Sequence, residues 1–215
     1  MVAATTTTSV VALLFAAAFL TIATHAVDIE HHQGKPPQYK TSDLVTNSCA
    51  NMRAHDWIPQ FTRKRCESTL RSDKQSVVAK DERDLALISM DLLQSSAAKV
   101  DNVLRQHSDS GHHSSSTTLA IRYCRLDYAA VARTVPMCRA MVHEYVAVPG
   151  DPTAGDDFYD CIARLGNAAA NCWGYVLADD ELAKVVSKEV GEVFQRATLV
   201  RAMVEVMIGF RHDSS

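Results

Sequence analysis

Two helical stripes, each carrying two cysteines, constrain this chain more than any other feature. From Ile121 the apolar positions run Ile121, Cys124, Tyr128, Val131, Val135, Cys138, Val142 and Tyr145, with steps alternating three and four. From Phe158 they run Phe158, Cys161, Leu165, Ala168, Cys172 and Tyr175. That alternation is the period of an α-helix with one buried face, so each cysteine belongs on the inner side of its own helix. Residues 148–152 (Val-Pro-Gly-Asp-Pro) lie between the stripes and form a strong turn signal. The two helices should therefore fold back on one another.

Six cysteines permit fifteen full pairings, and spacing narrows them. In an antiparallel helix pair, facing positions have a nearly constant sum. The nested choice, Cys124 with Cys172 and Cys138 with Cys161, meets this to within about 4.5 Å of helix rise, which a kink at Pro136 could absorb. The crossed choice misses by about 25 residues and would need badly sheared helices. The nested choice leaves Cys49 and Cys66 as a local clip. Cys124, on a core stripe, is expected to cost more stability than Cys49 when lost, because its removal leaves an unpaired polar group among core helices. Paired cysteines also imply an oxidising compartment.

Residues 10–23 are almost wholly apolar and are followed by small residues at Thr24 and Ala26. This is the length of a signal-peptide core and is short for a membrane span, so residues 1–26 read as a leader cleaved after Ala26. About 190 residues remain, enough for one domain with a real core. The net charge of −3 is small and mixed, and argues against nucleic acid or an anionic membrane as partner. Glycine and proline are scarce, at 8 and 6, which favours a mostly helical chain.

Residues 27–42 read as a polar, mobile arm. Residues 43–73 hold Cys49 and Cys66 on two short helices, or on a helix and a loop, with a turn at Pro59. A long helix is expected over 81–106, with Ala86, Met90, Leu93, Ala97, Val100 and Leu104 on one face. The serine- and histidine-rich stretch 106–118 is expected to be a loop. Pro136 should kink or break the Cys124–Cys138 helix. The Cys161–Cys172 helix should start near Asp156 or Asp157 and break within 174–180. A last helix is expected over 181–210, with Val186, Val190, Val193, Ala197, Val200, Val204 and Met207 inward. The fold class is then all-α: an antiparallel four-helix bundle preceded by a disulfide-clipped helical hairpin, over residues 43–210.

No G-x-S-x-G, H-E-x-x-H or C-x-x-C motif is present. His31-His32 and His112-His113 lack spaced Cys, Asp or Glu partners and read as solvated pairs, so no metal site is expected. The runs around Asp81 and Asp179-Asp180-Glu181 look like charged helix starts. No cofactor and no catalytic residue are expected.

Four stretches, in order, resemble the plant invertase/pectin methylesterase inhibitor family. Residues 66–70 (Cys-Glu-Ser-Thr-Leu) are similar to the end of its first hairpin, and residues 84–88 (Asp-Leu-Ala-Leu-Ile) to the opening of its first bundle helix. Residues 121–128 (Ile-Arg-Tyr-Cys-Arg-Leu-Asp-Tyr) resemble its cysteine-and-tyrosine stretch, and residues 168–173 (Ala-Ala-Ala-Asn-Cys-Trp) the segment around its fourth cysteine. The resemblance implies Cys49–Cys66 and Cys124–Cys172 as the family's two disulfides. It also implies a secreted, non-enzymatic protein that docks its bundle over the cleft of a cell-wall enzyme.

Cys138 and Cys161 are additional to the family pattern, and the segment between Cys49 and Cys66 is about twice as long as usual. The invertase-inhibiting branch often carries Pro-Lys-Phe where this chain has Asp151, Pro152, Thr153 and Ala154. That difference favours pectin methylesterase as the target, with acid invertase second. Asp151, Pro152, Thr153 and Asp156 are the candidate contact residues. The rival reading is a secreted helical protein with a structural or small apolar-ligand-carrying role.

Overall fold

A computed structural model describes residues 41–52, 61–146 and 155–209. Among the described residues six α-helices follow one another: α1 (Thr41–Ala50), α2 (Arg63–Arg71), α3 (Glu82–Asp109), α4 (Ser115–Glu144), α5 (Asp156–Leu177) and α6 (Asp180–Met207). A single 3₁₀ turn at Lys74–Val77 joins α2 to α3. No strand occurs among the described residues. Each of α3 to α6 packs on the helix before and after it, and α6 closes the ring on α3. This is the antiparallel four-helix bundle that the stripes predict.

The stripes become the core. Ala86, Met90, Leu93, Ala97, Val100 and Leu104 of α3 are buried, as are Val186, Val190, Val193, Ala197, Val200 and Val204 of α6. Seven of the eight predicted α4 positions are buried, with Tyr145 half-exposed at the helix end. On α5 Val176 is buried in place of Tyr175, which ends half-exposed against Tyr123 with ring centroids 5.3 Å apart. The second half of α6 also buries Leu199, Ala202 and Met203, because it packs on α5, on α3 and on the clipped hairpin. Trp173 of α5 lies over Gly191 of α6, where an added Cβ would meet the ring at 3.2 Å, so glycine lets these helices approach closely.

Helix ends are fixed by the side chains the sequence places there. Thr62, Asp81, Ser114 and Asp179 each accept a backbone N–H from the first turn of α2, α3, α4 and α6. Helix α5 has Gly155 at its cap and relies on Asp156 and Asp157 in its first turn. Helix α6 stops at Ile208, and Gly209 takes the left-handed conformation, φ 66°, that closes many helices.

Three disulfides are present: Cys49–Cys66, Cys124–Cys172 and Cys138–Cys161. The first joins α1 to α2; the other two join α4 to α5 in nested order, as an antiparallel pair requires. All six cysteines are buried, Cys49 as deeply as Cys124. Loss of either Cys49 or Cys124 therefore leaves an unpaired group in the interior. Three bridges fit an extracellular setting.

Three boundary expectations also need correction. Helix α3 runs on to Asp109 and α4 begins at Ser115, so the expected loop over 106–118 shrinks to residues 110–114. Polarity alone does not end a helix whose end protrudes into solvent, and the serine run supplies a cap, Ser114, whose Oγ accepts from Thr117 N at 3.1 Å. Pro136 does not break α4: it sits on the exposed side of a helix that is continuous through it. The break expected within 174–180 falls at Ala178 and Asp179, between α5 and α6. Finally, α1 starts at Thr41, two residues inside the predicted arm. Residues 1–26, the rest of the arm and Pro59 lie outside the described residues.

Candidate functional site

Two regions carry side chains that packing alone does not explain. The first is the outer surface of α3 and α4. The two helices are tied by Arg125, whose Nε donates to Asp101 Oδ1 at 3.2 Å, and by Arg139, which pairs with Asp91 and donates to the Leu87 carbonyl at 3.2 Å. Beside the first tie lies a groove of about 860 Å³, lined by Asp101, Arg105, Ile121, Arg122, Arg125 and Tyr128 among others. Burial pushes the Tyr128 phenol strongly upward, and its hydroxyl has no protein partner. Leu119, Tyr123 and Leu126 are exposed along α4, so this helix has an apolar inner stripe and a second, shorter outer one flanked by arginines.

The second region is the end of the bundle where the α3–α4 turn meets the start of α6. An up-and-down bundle puts these two connections at the same end, and their side chains interlock. His113, on the turn, lies between two acceptors: Nε2 is 2.7 Å from the His107 carbonyl and Nδ1 is 2.6 Å from Glu181 Oε1. Thr117, buried in the first turn of α4, donates to Asp179 Oδ2 at 2.9 Å and approaches Glu181 Oε2 at 3.2 Å. The Glu181 carboxylate and the His107 carbonyl raise the His113 imidazole above its usual range. Reciprocally, His113 and then Thr117 hold Glu181 low, while the Leu182 N–H does the same for Asp179.

This corrects the reading of His112-His113 as a solvated pair. His112 is exposed, but the His113 side chain is only 9% exposed and packs against the His107 ring with centroids 4.3 Å apart. Glu181 does more than favour a helix start. Sequence spacing hid this group because Glu181 is remote in the chain from His107 and His113; the signal available was topological, two turns at one end of the bundle.

Of the predicted contact residues, Asp156 is the exposed first residue of α5; Asp151, Pro152 and Thr153 lie outside the described residues. The six predicted cysteines are brought together as the three bridges above. Among the described residues no helix is long and apolar enough to cross a membrane. No known family's sequence profile matches the chain, and no curated protein matches it.

Proposed function

We propose that the chain is a secreted proteinaceous inhibitor of a cell-wall carbohydrate-active enzyme, pectin methylesterase before acid invertase, which acts by covering the enzyme's cleft. The observation that carries this reading is the disulfide framework: a clipped helical hairpin ahead of a four-helix bundle whose second and third helices are joined through Cys124 and Cys172. These are the cysteines that align with the family resemblance. The leader over residues 1–26 supports export, as does the burial of all six cysteines in bridges. The outer face of α4, with Leu119, Tyr123 and Leu126 beside Arg122 and Arg125, supports docking, since exposed apolar side chains flanked by arginines are what protein interfaces use.

The test is inhibition. The disulfide-intact chain is titrated into a pectin methylesterase and, separately, an acid invertase, each at fixed substrate. Saturable loss of pectin methylesterase activity is the expected result. Loss of invertase activity alone reassigns the target, and full activity of both enzymes removes the inhibitor reading.

A further inference from the structure

We propose that His107, His113 and Glu181 form a binding site for a zinc-class divalent cation, which staples the α3–α4 turn to the start of α6.

Each residue offers a ligand atom, and the three atoms lie within 4.8 Å of one another. Two ligands of a tetrahedral zinc ion stand about 3.3 Å apart at bond lengths near 2 Å, so modest side-chain rotations close the set around an ion. Two imidazoles and a carboxylate suit zinc and its first-row neighbours better than magnesium or calcium, which prefer oxygen alone.

The hydrogen bonds around the group point to a cation more strongly than the distances do. A carbonyl can only accept, so the 2.7 Å contact with the His107 carbonyl makes His113 Nε2 a donor. A neutral His113 would then present a lone pair at Nδ1 to a carboxylate oxygen 2.6 Å away. That slot requires a positive charge between the two atoms: a proton, or a metal ion in its place. The Nε2–H to carbonyl contact is also the outer hydrogen bond that ligating histidines characteristically make, and it leaves Nδ1 as the ligand atom. Glu181 has the matching support, because Thr117 approaches its other oxygen, Oε2, at 3.2 Å. His107 supplies the third observation: its Nε2 is buried and has no hydrogen-bond partner, a cost that a metal bond removes. Three protein ligands leave a fourth position for water. In this setting the ion replaces the Nδ1 proton, and its binding releases that proton to solvent.

The experiment uses the full oxidised chain, stripped with chelator and titrated with zinc chloride at neutral pH by calorimetry, with melting temperature recorded alongside. A background in which His31 and His32 are replaced by Gln removes the other histidine pair. The expected result is one ion per chain, a higher melting temperature, and proton release seen as a dependence of the heat on buffer ionisation. His113→Gln and Glu181→Gln should each weaken binding by at least about tenfold, and His112→Gln, on the exposed neighbour, should leave it unchanged. His107→Gln, checked for parent-like helicity by circular dichroism, should also weaken it. Absence of zinc binding by the parent overturns the proposal, as does zinc binding that survives both His113→Gln and Glu181→Gln.

Discussion

The pH response of His113 is set by two partners, the Glu181 carboxylate and the His107 carbonyl. Its raised imidazole contributes stability that is complete below the ordinary value of 6.5 and is lost as pH rises through the higher folded value. Glu181, held low, contributes above its ordinary 4.5 and loses that contribution as pH falls through its lower folded value. In the metal-free chain the clamp is therefore complete between about 4.5 and 6.5, an acidic window, and loosens on either side. Thermal melts between about pH 6 and pH 8.5 in the presence of chelator should show a fall in stability for the parent that is smaller in His113→Gln. Parallel curves would mean that His113 titrates as it does in the unfolded chain. Spacing places His107 and His113 at one turn, but Glu181 joins them only in the assembled bundle, so the clamp was not legible from the sequence.

Individual helices were far more legible, because an inner face must repeat at the helical period whatever surrounds it. Ala86 through Leu104 and Val186 through Val204 could be placed inward from the sequence, and they are buried. Ends were less legible, since they depend on single caps such as Ser114 and on packing that carries a helix through Gly174. Pro136 is the clearest case of tertiary override. Its ring removes the hydrogen bond to the Ala132 carbonyl, yet Val135 and Cys138 are packed on either side and hold α4 continuous. Pro136→Ala should therefore stabilise the chain by about 2 kcal/mol, the helix gain less the entropy that proline removes from the unfolded state. An unchanged denaturation midpoint would mean that the local backbone has already relaxed around the ring. The bridges admit a similar comparison. With all four sulfurs buried, loop length separates Cys49–Cys66, 17 residues apart, from Cys124–Cys172, 48 apart. Replacing Cys124 and Cys172 by alanine should cost about 1 kcal/mol more than replacing Cys49 and Cys66, roughly 2–4 °C in melting temperature. Equal losses would show that strain or residual unfolded-state structure outweighs loop closure.

For the whole molecule, the all-α class followed from scarce glycine and proline and from four long stripes, and the nested α4–α5 bridges set the register of one helix pair. Function is less legible, because docking depends on a surface, and one sequence does not distinguish a solvated face from a contact face. The exposed α4 stripe emerged only once the inner stripe was placed. The proposed inhibition requires that this bundle bind a wall enzyme as a preformed, bridged unit. The most direct measurement is calorimetric titration of the oxidised chain into pectin methylesterase, with acid invertase as the parallel arm. A saturable one-to-one complex with pectin methylesterase that is lost when Cys124 and Cys172 are both replaced is the expected result; absence of binding to either enzyme by the intact chain would contradict the proposal.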